Sequence, residues 1–342
     1  MRRRLSLLAP LALAGVLAAC GGEGKGAPVR VVIPRGASLR VAADSLASKG
    51  VIRAPRLFLL YAQLTNRDRR IKAGTYMLRP NTSWGRALDA LAEGKGLLPG
   101  MTLVEGWTLR QVVPQLARVL EIPVESVEVA VRDTALLRRL DVPSGSLEGY
   151  LYPDTYTFAP GMSARTAVGE MVARFERVWQ PQWTARLDTI AMSRHDVLTL
   201  ASIVEREARL REERPVIASV YMNRLRDGML LQADPTVQYA HGGHKPRLFF
   251  KDLEIDSPYN TYRNKGLPPG PIGAPGRPSI IAALYPAQTP FKFFVAFPDG
   301  HHEFTRDFTS HARVVRRARR AWDSVAVLRG ATAAARTPAG RR

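Results

Sequence analysis

Two acids, Glu205 and Glu207, stand inside the stretch Arg194–Arg226, RHDVLTLASIVEREARLREERPVIASVYMNRLR. Val197, Leu198, Leu200, Ala201, Ile203, Val204 and Ala208 recur there with helical rather than strand spacing. A carboxylate among apolar side chains is disfavoured as an anion, so it holds its proton to higher pH. A carboxylic acid still protonated near neutrality can serve as a general acid. Glu205 shares a helix face with Leu198, Ala201, Ser202 and Ala208, and the small residues among these leave room for a bulky substrate. The competing reading is a solvated face, because Glu205–Arg209 and Glu207–Arg211 are both i,i+4 pairs.

Downstream, short polar clusters favour the chemical reading. Leu231–Val237 (LQADPTV) puts an amide, a carboxylate and a hydroxyl into one turn, Ser257–Tyr262 (SPYNTY) interleaves aromatic rings with hydrogen-bonding groups, and Gly266–Gly273 (GLPPGPIG) is a stiff loop. Aromatic faces beside amides and carboxylates are the parts that bind sugars. Gln232, Asp234, Tyr259, Asn260 and Tyr262 are therefore candidate glycan contacts. Tyr259 suits a core position equally, and Asp234 suits a helix cap. Glu148 is a candidate for orienting substrate or stabilising a cation, against a structural hydrogen bond. Asn223 is a candidate for bonding across to the first helix. His241–His244 and His301-His302 lack the further ligands and spacing of a zinc site, and HExxH is absent, so no metal or cofactor is expected.

The elements that must position these residues follow from periodicity and caps. The Arg194–Arg226 stretch reads as two helices meeting near Glu212–Pro215. Val29–Ile33 and Gly74–Leu78 read as strands, and Ser38–Ser48, Arg56–Thr65 and Trp84–Glu93 as helices. Ser126–Leu140 and Ala164–Trp179 read as helices, with a linker after the second. Phe293–Ala296 reads as a buried strand, and Phe308–Leu328 as a basic helix. Ile33–Leu46 and Val104–Leu116 form a weak internal repeat in which Gly36 matches Gly106 and Ser38 matches Thr108. Each copy is strand, glycine turn, hydroxyl cap and helix. This resembles the opening half of a LysM module, a βααβ unit that binds N-acetylglucosamine polymers, and it equally suits a generic packing unit.

The net charge of +20 favours an anionic partner, or reflects no more than the arginine-rich usage of a GC-rich genome. Arg313–Arg320 (RVVRRARR) could suggest nucleic acid, but the chain opens with an export signal. Met1–Arg4 is basic, Leu5–Ala19 is apolar, and Leu17–Cys20 resembles a lipobox, with Cys20 as the lipid attachment point. An uncleaved N-terminal anchor helix is the alternative. With one cysteine no internal disulfide can form.

Several motifs in order carry a closer resemblance: LEGYLYPDTY at Leu147–Tyr156, ASIVERE at Ala201–Glu207, ASVYMNRL at Ala218–Leu225, LQADPTV, YNTY at Tyr259–Tyr262, GLPPGPI and HEF at His302–Phe304. Together they resemble the YceG-like family of endolytic murein transglycosylases. The resemblance implies an α+β protein with a LysM-like subdomain and then a mixed α/β catalytic domain around a buried helix pair. The expected organisation is an anchor at 1–20, a tether at 21–28, the subdomain at 29–143, the catalytic domain at 144–328 and a disordered tail at 329–342. Glu205 falls on the family's catalytic glutamate. The implied reaction cuts the MurNAc–GlcNAc bond of nascent glycan strands and leaves 1,6-anhydro-MurNAc ends. The implied setting is the cell membrane, with the catalytic domain facing the periplasm and wall, and peptidoglycan synthases as partners. Family members commonly carry an N-terminal transmembrane helix, where this chain has a short lipobox-like segment. A muramidase that uses water, and a non-catalytic wall-binding lipoprotein, are the alternatives.

Overall fold

The computed structural model describes residues 24–67, 71–243, 245 and 248–336. Cys20 and the rest of the signal-like segment lie outside them, as do His244 and residues 337–342. No helix among the described residues is long and apolar enough to cross a membrane. The fold is α+β, made, among the described residues, of helices and three two-stranded sheets. The chain divides into two compact units, one running to Gly100 and including Thr157–Gly161, the other holding the remainder. Residues 101–143, expected as part of the subdomain at 29–143, fall in the second unit.

In the first unit β1 (Val29–Ile33) is followed by α1 (Leu39–Ser48), α2 (Pro55–Leu64), β2 (Gly74–Leu78) and α3 (Trp84–Glu93). β1 and β2 pair antiparallel, from Val29 opposite Leu78 to Ile33 opposite Gly74. Val31 and Ile33 point inward, two residues apart as strand geometry requires, and pack with Leu46, Phe58, Tyr76 and Leu91. Ser38 caps α1 by accepting from the Val41 N–H. The order is βααβ with one further helix.

From the division at Gly100 the chain runs through β3 (Gly100–Thr102), α4 (Leu109–Leu120), α5 (Val124–Ala130), α6 (Thr134–Leu140) and β4 (Thr155–Thr157). The helix expected over Ser126–Leu140 is two helices. The first ends at Ala130 with Val131 as its C-cap, and Asp133 caps the second, its carboxylate accepting from the Ala135 and Leu136 N–H groups. Next come α7 (Ala164–Val178) and α8 (Pro181–Ile190). α8 occupies the expected linker, and it starts on a proline, whose fixed φ suits a first helical turn. Then follow α9 (Arg194–Glu207), α10 (Arg214–Arg226), α11 (Asp234–Ala240), α12 (Arg277–Leu284), the antiparallel hairpin β5 (Phe293–Ala296) and β6 (His302–Thr305), and α13 (Phe308–Arg336). α13 continues well past Leu328. β5 is half-buried rather than buried.

α9 is the centre of this unit. A capping box between Ser193 and Asp196 starts it, and Val197, Leu198, Leu200, Ala201, Ile203 and Val204 are all wholly buried. A helix apolar all round must be covered on every side. α10, α11 and α12 pack against it.

Candidate active site

Residues Pro268–Gly276 lie along α9 as a strap. His195 at the start of the helix bonds to the Pro269 carbonyl through Nε2 at 2.9 Å, while its Nδ1 meets the Tyr150 hydroxyl at 2.9 Å. About two and nearly three turns on, Ser202 accepts from the Ile272 N–H at 2.9 Å and Glu205 accepts from the Gly276 N–H at 2.9 Å. Most of this strap is buried. The stiff loop expected to grip glycan is therefore scaffold for α9, and its prolines and glycines allow close approach to the helix.

Glu205 and Glu207 sit in the last turn of α9. Neither pairs with the arginine four residues on. Arg214, the first residue of α10, donates from Nη2 to Oε1 of Glu205 at 3.1 Å and from Nε to the Ser279 hydroxyl at 3.0 Å. The Glu205 side chain is buried, yet its two oxygens meet a guanidinium and a backbone amide. The apolar surroundings expected for Glu205 are thus replaced by two donors. A second acid lies close by. Glu105, in the turn before α4, rests against Gly276 so tightly that a Cβ there would overlap its carboxyl. Crowding by protein atoms, and next the Glu205 charge, raise the Glu105 pKa.

Glu207 points elsewhere, since two residues turn a helix by about 200°. Its carboxyl accepts from the Tyr221 hydroxyl at 2.7 Å, and burial pushes its pKa up to about 7. It lines a cavity of about 350 Å³ with Gln232, Asp234, Tyr262, Arg224 and His302. Three of the predicted glycan contacts thus gather around Glu207. The Tyr262 hydroxyl donates to Asp234 at 2.5 Å, and Gln232 sits at a positive φ of 50°.

The other predicted contacts make protein bonds. Glu148 is buried and accepts from the Leu109 N–H, the first residue of α4, and from the Tyr239 hydroxyl, each at 3.1 Å. Burial raises its pKa to about 7 against these bonds. Tyr239 also packs on Tyr259, with ring centroids 4.8 Å apart. Asn260 is fully buried. Its amide donates to the Leu253 and Ile255 carbonyls, and its Oδ1 accepts from the Tyr262 N–H. Asn223 does not reach α9. It donates to the carbonyls of Thr289 and Phe291, both at 2.8 Å, because that loop passes over its side of α10.

Sequence reasoning missed Arg214 and Glu105. Arg214 stands beside Pro215 in the expected break between helices and reads as an ordinary capping-region cation. Glu105 carried a signal in the internal repeat, where the second copy has an acid opposite Arg35 of the first.

The YceG-like family profile matches residues 31–317. A protein of Bacillus subtilis named endolytic murein transglycosylase is 34% identical over 299 residues, covering 83% of this chain and 82% of its own length. One of the same name from Streptococcus pneumoniae is 31% identical over 78% of this chain, which spans about half of it, 54%. The crystal structure of a YceG-like protein from Listeria monocytogenes superposes with a TM-score of 0.60 at 35% identity, covering 84% of this chain and 98% of that one. With a profile match over most of its length and relatives above 30% identity, the chain belongs to the YceG-like family.

Proposed function

We propose that this chain is a lytic transglycosylase acting on peptidoglycan glycan strands, with Glu205 as acid and then as base. The observation that carries the reading is the buried Glu205 carboxyl with Arg214 and the Gly276 N–H on its two oxygens. The names of the Bacillus and Streptococcus relatives support the substrate class. Protonated Glu205 gives its proton to the oxygen bridging MurNAc and GlcNAc. The C1–O bond breaks and positive charge develops at C1. The C6 hydroxyl oxygen then bonds to C1, and its proton passes to Glu205. The end is 1,6-anhydro-MurNAc, and no water is consumed. Two donors already aimed at the carboxyl stabilise the negative charge that appears there as the proton leaves, without reorganisation.

A second reading has one observation in its favour. Glu207 keeps its proton to about pH 7 and shares a cavity with Gln232, Asp234 and Tyr262, as a general acid beside a sugar would. Muropeptide mass analysis of sacculi treated with wild type, Glu205→Gln and Glu207→Gln decides between them. Under the first reading Glu205→Gln loses anhydro-ends by about 10²-fold or more while Glu207→Gln keeps them. The reverse pattern moves the acid to Glu207. Products heavier by one water make the protein a muramidase, and sacculi bound but uncut make it a wall-binding lipoprotein.

The same proposal takes the βααβ unit as LysM-like and glycan-facing. It takes the N-terminal segment as the membrane anchor, with the enzyme facing the periplasm and wall and peptidoglycan synthases as its partners. Loss of membrane association in Cys20→Ser would favour a lipid anchor over a helix.

A further inference from the structure

Glu105 is an acid that the reaction as written does not use. It is exposed, in front of the buried Glu205, in the turn Val104–Trp107. Backbone bonds fasten that turn to the strap along α9: the Gly106 N–H donates to the Ala274 carbonyl at 2.7 Å, and the Ala274 N–H to the Trp107 carbonyl at 2.8 Å. Arg206 of α9 adds a bond from Nη1 to the Gly106 carbonyl at 3.3 Å. The approach is so close that a Cβ at Gly273, already at a φ of 156°, would fall 2.7 Å from the Gly106 oxygen. The turn is held on both sides, so the backbone fixes the point from which the Glu105 side chain leaves.

The consequence is that two carboxyls flank one glycine. The Gly276 N–H donates to Glu205, and the Glu105 carboxyl lies over the same residue. Arg214 acts on both, and its Nη1 is buried with no hydrogen-bond partner among the described residues. Arg211 also draws on Glu105, and Tyr152 senses its charge. Among the described residues the Glu105 carboxylate has no hydrogen-bond partner of its own. An exposed, unpaired acid adds little to stability. An anion on the open side of a proton donor is what an oxocarbenium-like transition state needs, and glycoside cleavage is usually served by two carboxyl groups.

We propose that Glu105 is a further catalytic residue, its carboxylate facing the sugar ring from beside Glu205 and stabilising the positive charge that develops at C1 as the bridging bond breaks. This rests on the reading of Glu205 as the acid. The test compares full-length wild type, Glu105→Gln, Glu105→Asp and Glu205→Gln on purified glycan strands. It adds binding of a neutral glycan and of a glycan ending in a cationic iminosugar. Glu105→Gln is expected to lower kcat by about 10²-fold with KM within about threefold, the mark of an interaction made only in the transition state. It should bind the iminosugar at least about tenfold more weakly and the neutral glycan unchanged. Glu105→Asp restores part of the rate. The inference fails alone if Glu205→Gln is inactive while Glu105→Gln keeps a kcat within about threefold of wild type, or if both ligands weaken equally. An active Glu205→Gln overturns the reading beneath it, and the inference with it.

Discussion

Arg214 and Glu205 form an ion pair at 3.1 Å with side chains only 9% and 6% exposed. A pair so far from water depends on each partner for the neutralisation of the other. Arg214→Met leaves the Glu205 carboxyl without its cation, and removing one partner of a buried pair costs about 3–5 kcal/mol. Urea unfolding should show that loss. Glu205→Gln strands the guanidinium instead, so its activity must be compared per folded molecule.

Gly276→Ala separates position from stability. The backbone at Gly276 has a φ of −74°, open to any residue, but the new methyl would occupy the place of the Glu105 carboxyl. An exposed side chain can swing away cheaply. The expected outcome is a stability change below about 1 kcal/mol, because the atoms that the new methyl displaces are the far end of an exposed side chain. The rate of anhydro-end formation should fall towards that of Glu105→Gln. In a Glu105→Gln background the same substitution should have little further effect on rate.

Glu207 makes stability depend on pH. Its carboxyl moves from 4.5 to about 7 on folding, so between those values the native state holds a proton that the unfolded chain has released. The native state is favoured at low pH, and that advantage is lost as pH rises through about 7. Glu207→Gln removes this slope, and a shift of this size corresponds to roughly 3 kcal/mol between pH 4 and pH 8. Urea midpoints at the two pH values should converge in the variant relative to wild type. Glu148 titrates in the same sense, so its replacement flattens the dependence further.

Glu148→Ala tests whether that acid serves structure. It would leave the Leu109 N–H and the Tyr239 hydroxyl without their acceptor. The loss should be about 1–3 kcal/mol by unfolding, the penalty for leaving buried polar groups unsatisfied. Activity per folded molecule should change far less than in Glu105→Gln or Glu205→Gln.

Much of the scaffold was legible from local rules. The strands Val29–Ile33 and Gly74–Leu78 and the helix Trp84–Glu93 have the bounds their periodicity predicts. Ser38 and Thr108 cap helices in both copies of the repeat, each after a glycine of positive φ, Gly36 and Gly106. These features are set by neighbours a few residues apart, which the chain carries wherever it folds. α8 was missed because Trp183 is its one buried residue, so it shows little apolar periodicity.

The amino-acid order also determined that Glu205 and Glu207 leave α9 on different sides, since helical geometry alone turns them apart. It could not say what each would meet. Arg214 lies nine residues from Glu205, Gly276 seventy-one and Glu105 a hundred, and each arrives through a separate element. Nor could it say that Gln232, Asp234 and Tyr262 would gather beside Glu207. Spacing fixes the direction in which a side chain leaves its helix. Only tertiary packing, which covers a helix apolar on all sides with distant segments, decides which groups lie in that direction.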